Sequence, residues 1–149
     1  MKLKTEITNV EDTEIIIRCA HRTEKIKQLE SMLEAWLQQS SELVLTLDDT
    51  EYYVSKKDIL FFETENGKVT AHTASRVFYT EYKLYELEKL MPPSFIRVSK
   101  SCILNVSRIS YVNRNLTGAS EVGFENTKKK VFVSRIYFKV LKERLKEMR

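Results

Sequence analysis

With 149 residues, 42% of them hydrophobic and 31% charged, the chain has the make-up of a globular protein holding one domain and a small appendage. Three glycines and two prolines exclude long flexible linkers, no run approaches the roughly 18 apolar residues of a membrane span, and the polar start at residues 1–9 lacks a signal peptide's apolar stretch. The net charge of +4 is unevenly spread: residues 1–42 hold six basic and eight acidic side chains, residues 43–149 nineteen and thirteen. A basic region beside an acidic one points to a polyanion partner or to an ordinary solvated surface, and charge alone does not choose. The expected location is the cytoplasm.

Cys19 and Cys102 are too few for a disulfide framework and are not spaced as a metal pair, so both are expected as small apolar residues in or near a core. His21 and His72 lie in separate elements and offer little for a metal site or for histidine catalysis. No glycine-rich phosphate loop and no nucleophile with a companion base can be assembled, so neither an enzyme nor a bound cofactor is expected.

Along the chain, Leu3, Thr5 and Ile7 alternate with charged residues, and residues 14–19 are β-branched and apolar. With residues 9–13 as a polar turn, a strand pair is predicted. Thr23 is placed to cap a helix over residues 24–39, whose Ile26, Leu29, Leu33, Trp36 and Leu37 form one apolar stripe. This ββα leader is too small to stand alone; its helix serves dimerisation, partner binding or packing on the rest of the chain.

From Leu43 the pattern changes to short strands: 43–47, 51–55, 58–63, 68–73 and 76–80, with Asn66-Gly67 suited to a tight turn at positive φ. Leu84, Leu87, Leu90 and Met91 mark a short helix stopped by Pro92-Pro93. Strands follow at 96–98, 102–105, 109–113, 120–124 and 130–133, then a last helix from about Ile136. Roughly ten short strands and two short helices describe a mainly β fold with α, either a β-sandwich or a set of small sheets. Phe61, Phe62, Phe95, Leu104 and Val133 are expected in the core, and Phe132 is read as buried too.

Several cations fall on the connectors: Lys68, Lys100, the Lys128-Lys129-Lys130 run and Arg135. Loops carry long side chains beyond a sheet, where phosphates and base edges of a duplex lie within reach. Lys and Arg donate to guanine O6 and N7, and small hydroxyls such as Ser99, Ser101 and Ser134 suit phosphate oxygens. Spacing alone leaves nucleic-acid binding level with surface charge.

Three segments resemble the LytTR family of bacterial DNA-binding domains: Ile59–Val69; Leu87–Leu90 with Phe95-Ile96-Arg97-Val98-Ser99-Lys100-Ser101-Cys102-Ile103-Leu104-Asn105; and Val131-Phe132-Val133-Ser134-Arg135-Ile136-Tyr137. They span residues 43–149. The resemblance implies an elongated fold of about ten strands in three small sheets, with no helix-turn-helix, that inserts loops into successive major grooves. It implies base reading by Lys68, Lys100 and Arg135. Asn66, Arg97, Ser99, Ser101, Asn105, Lys128, Lys130 and Ser134 are left as backbone contacts or loop supports. Arg97 and Asn105 could hold loops instead of touching DNA, and Ser134 could cap the last helix. Where many members carry His this chain has Ser99, so a role specific to imidazole is absent.

Residues 1–42 are too few for a phosphoacceptor receiver domain, so the expectation is a stand-alone transcriptional regulator. The resemblance implies double-stranded DNA as partner, a homodimer at least on DNA, and a small membrane protein as a candidate antagonist, with no small-molecule substrate. The competing expectation is a protein-interaction module docking to a membrane-associated partner. RNA binding is disfavoured because the aromatics read as buried.

Overall fold

The computed structural model of the protein describes residues 1–7, 9, 14–37 and 41–148. The chain forms two units, residues 1–39 and 40–149. In the first, helix α1 (Glu24–Leu37) begins as its sequence requires: Thr23 Oγ1 accepts the Ile26 amide at 3.3 Å, satisfying one of the helix's free N–H groups. Arg22 reaches along the helix to Glu30, its Nη2 at 2.6 Å from Oε2. Along the expected stripe Ile26 is buried and Leu29 and Leu33 are half-buried, whereas Trp36 and Leu37 are exposed. Residues 1–7 and 14–19 run without strand pairing. Their side-chain pattern is that of strands, but a strand needs a neighbour for its backbone groups, and the described residues provide none. Of the turn expected over 9–13, only Asn9 is among the described residues; helix residues 38 and 39 also fall outside them.

The second unit is built from hairpins. Strands β1 (Glu42–Leu47) and β2 (Thr50–Ser55) pair antiparallel around Asp48 and Asp49, both at positive φ, 50° and 60°. A 3-10 turn at Lys56–Asp58 and the fully buried Ile59 and Leu60 lead into β3 (Phe61–Glu65), so this strand starts later than its apolar run suggested. Lys56 Nζ, itself buried, donates to Leu90 O at 3.3 Å, and burial pushes its pKa down. Then come β4 (Lys68–His72), β5 (Val77–Thr80), helix α2 (Leu84–Leu90), β6 (Phe95–Ser99) and β7 (Cys102–Asn105). Glu86 accepts the Lys83 amide at 3.0 Å at the start of α2. The remaining elements are β8 (Ile109–Asn113), β9 (Ser120–Phe124), β10 (Lys130–Val133) and helix α3 (Arg135–Met148).

Two antiparallel sheets result, ordered β2-β1-β5-β4-β3-β7-β6 and β10-β9-β8. The three small sheets implied by the family resemblance become two because Thr46 pairs with Tyr79, joining the β1–β2 hairpin to β5. The central strands are apolar on both faces, as expected where both are covered. Phe61, Ile96, Cys102 and Leu104 face a core completed by the three-stranded sheet and by Leu141 of α3. Phe62, Phe95 and Ile103 face the opposite way, into a core with Leu84 and Leu87 of α2 and Leu45 of β1. Phe132 is the exception among the expected core aromatics. It alternates with buried Val131 and Val133 and is 61% exposed, on the face that β10 turns away from the core.

Candidate nucleic-acid interface

The β3–β4 turn is made by Asn66 and Gly67 at φ 52° and 77°, the left-handed pair that a two-residue hairpin demands. Glu65 and Lys68 close it, and Lys68 is exposed with Nζ 5.9 Å from the Tyr79 ring centre. The β6–β7 turn, Ser99-Lys100-Ser101, lies at the same end of the sheet, because Thr64 N donates to Ser101 O at 2.8 Å. The hairpins β4–β3 and β7–β6 are adjacent in the sheet. Two strand spacings of about 4.8 Å put their turns about 10 Å apart. Lys68 and Lys100 therefore leave one rim of one sheet.

Arg97 shapes the second of these turns. Its Nε donates to Ser99 O at 2.8 Å, its Nη2 to Lys100 O, and its Nη1 lies 3.5 Å from Glu88 Oε1. With three nitrogens engaged, the guanidinium fixes the loop that presents Lys100. Ser99 Oγ accepts the Ser101 amide at 3.2 Å, leaving Ser101 exposed. Asn105 is 1% exposed, donates to Ile59 O at 3.0 Å, and accepts the Ser107 amide and hydroxyl at 3.1 and 2.6 Å. Its side chain is turned into the fold and engaged with the backbone on either side of β7.

Arg135 is the first residue of α3 and is exposed. Ser134 precedes it as the cap, with Oγ 3.5 Å from the Tyr137 amide and its carbonyl accepting from Phe138 N at 2.9 Å. Arg135 belongs to a different element from the two-turn rim. It shares a groove of about 410 Å³ with Arg114, Lys139, Lys142, Asn115, Leu116, Ser120 and Phe138.

The lysine run separates into three roles. Lys128 is exposed. Lys129 Nζ turns inward and donates to Thr73 O and Arg76 O, both at 2.9 Å, with His72 Nδ1 at 3.4 Å, tying the β9–β10 loop to the β4–β5 turn. Burial lowers the Lys129 pKa. Lys130 pairs with Glu121 at 3.2 Å, which raises the pKa of Lys130.

His72 stacks on Phe61 with ring centres 4.2 Å apart, and burial together with the charge of Lys129 lowers its pKa to about 4. A neutral ring accepting from Lys129 at Nδ1 carries its proton on Nε2 and can donate to Thr70 Oγ1 at 3.2 Å. The 3.8 Å approach of Glu63 to Nε2 is thus no ion pair at neutral pH.

Sequence reasoning missed Arg114, Lys139 and Lys142. For two of these a signal existed: Arg135, Lys139 and Lys142 recur at spacings of four and three, the face of one helix. Arg114 carried none, because its place depends on Phe138 of α3, whose ring centre lies 5.2 Å from the guanidinium carbon.

A β scaffold that frees exposed cations on its turns and at one helix start is built to meet a polyanion. Residues 49–146 match the LytTr DNA-binding domain family. Two relatives from Staphylococcus aureus, strains MSSA476 and MW2, are each 33% identical over 147 residues, spanning 97% of this chain and 98% of the relative. Both are named as uncharacterized HTH-type transcriptional regulators. Among solved structures, the LytTr DNA-binding domain of a protein described as a methyl-accepting/DNA response regulator from Bacillus cereus superposes with a TM-score of 0.65. It is 25% identical, and the match covers 70% of this chain and 95% of that domain. The chain belongs to the LytTr DNA-binding domain family. The helix-turn-helix in the relatives' names has no counterpart among the described residues, where five strands separate α2 from α3.

Proposed function

We propose that the protein is a sequence-specific regulator of transcription that reads major-groove bases of duplex DNA with Lys68, Lys100 and Arg135, as a homodimer on paired half-sites in the cytoplasm. The observation that carries this reading is the single rim that presents Lys68 and Lys100 on adjacent turns, both exposed and neither ion-paired among the described residues. Arg97, Ser99 and Ser134 hold backbone in shape around Lys100 and Arg135, the support that base-reading side chains need. Relatives named as transcriptional regulators over nearly the full length support the regulatory role.

The test begins with footprinting on the DNA upstream of the protein's own gene to obtain a protected site. Lys100→Ala and Arg135→Ala should each weaken binding to that site by about 1–3 kcal/mol and relax base preference, while barely changing affinity for random duplex. Equal losses on both duplexes would remove Lys100 and Arg135 as base readers.

A further inference from the structure

Apart from the rim lysines, two sets of cations in the second unit stand in contrast. Arg97, Arg108, Lys129, Lys130 and Arg144 are held by carboxylates or carbonyls of the fold. Arg114, Arg135, Lys139 and Lys142 converge on one groove that no acidic residue lines, and among the described residues none of the four is ion-paired. Gathering like charges without a counterion works against folding. Here the repulsion is compounded, because the cations at 135, 139 and 142 are helix neighbours and the first turn of α3 contains no acidic residue to suit its dipole. An arrangement that costs stability in the free protein is accounted for if an anion occupies the groove in the working state.

We propose that this groove holds a backbone phosphate of the duplex whose bases Arg135 reads, with Arg114, Lys139 and Lys142 as its cations. The proposal rests on the DNA-reading function above and adds residues to it. Arg114 follows β8 directly, and its guanidinium lies over the Phe138 ring. That stacking leaves the N–H donors at the rim of the plane free to meet two phosphate oxygens. Ser120 Oγ accepts the Asn115 amide at 3.1 Å, holding the backbone just after Arg114. All four cations are exposed to solvent. Single exposed charges are screened and bind a small free anion weakly, whereas a phosphodiester backbone anchored by base contacts engages them together. The chemistry is that of a phosphodiester, and the duplex rather than a free phosphate is its source.

The experiment measures duplex affinity by fluorescence anisotropy between about 50 and 200 mM salt for the full chain and for Arg114→Gln, Lys142→Gln, the double variant and Arg114→Lys. Thermal melting of each variant verifies folding. Each Gln variant should bind specific and random duplex more weakly by the same factor and lose part of the salt slope of one phosphate contact, about 0.9; the double variant should lose most of it, so its deficit shrinks about threefold across that salt range. Arg114→Lys should keep the slope. A methylphosphonate replacing one phosphate beside the base read by Arg135 should weaken the wild type but not the double variant. Unchanged slopes in the Gln variants, with the wild type still binding DNA, overturn the clamp and leave the DNA reading intact. Failure of the wild type to bind any duplex overturns the function itself. If tripolyphosphate raises the melting temperature of the wild type but not of Arg114→Gln, and the two bind duplex equally, the groove serves a small anion and the clamp is likewise overturned.

Discussion

His72 shows how one buried side chain makes the stability of this protein depend on pH. In the unfolded chain a histidine titrates near 6.5; in the fold His72 titrates at about 4, because burial and Lys129 disfavour its charged form. Between these values the unfolded state binds a proton that the native state refuses, so stability falls as pH drops from about 6.5 to 4 and is unaffected by this group above 6.5. The full window is worth roughly 3 kcal/mol. Chemical denaturation at pH 7, 5.5 and 4.5 should show His72→Gln losing less stability on acidification than the wild type. Parallel losses in the two proteins would show that other groups control the acid limb. Sequence alone could not reveal this. An alternating strand marks His72 as half-inside, but Lys129 stands 57 positions away, and only the meeting of two loops makes it a clamp. The same limit hid Asn105's burial and split the lysine run into three unlike roles.

At the scale of elements, legibility follows how local the determinant is. Asn66-Gly67 and Pro92-Pro93 act through their own backbone geometry, and the turn and the helix end stand where they were expected. Thr23 and Ser134 were equally readable, since a cap is set by the residues next to it. Sheet membership was not, because one cross-strand pair, Thr46 with Tyr79, determines whether the first hairpin stands apart. The exposed face of β10-β9-β8 illustrates the point with Gly123. A methyl group there would sit 2.0 Å from the Tyr111 ring, and Tyr111 donates to Glu121 at 3.1 Å. Gly123→Ala must therefore push Tyr111 off the sheet and break that bond, at a cost of about 1–3 kcal/mol. Gly67→Ala meets no atom within 4 Å and costs only the left-handed backbone, about 1 kcal/mol. Denaturant midpoints of the two variants compare a steric cause with a conformational one, and a larger loss at Gly67 would contradict the assignment.

For the whole molecule, the question is how much sequence one copy can select. On the proposed reading, three base-reading side chains, each discriminating by about 1–3 kcal/mol, would distinguish about 64 sequences if each read one base pair completely. A bacterial genome presents on the order of 10⁶ competing sites, so on that reading one protomer would not find a unique operator. The proposed second copy raises this to about 4,000 sequences, which narrows the gap without closing it, and the two copies would then meet the duplex on matching faces. Half-sites about one helical turn apart, roughly 10 to 10.5 base pairs from centre to centre, meet that requirement. Inserting five base pairs between the protected repeats should rotate one half-site to the far side of the duplex and reduce affinity to that of a single half-site. Inserting a full turn should restore much of the loss. Gel-shift titration of the three duplexes checks this, and equal affinity for all three would mean that the copies bind independently and that selectivity arises elsewhere.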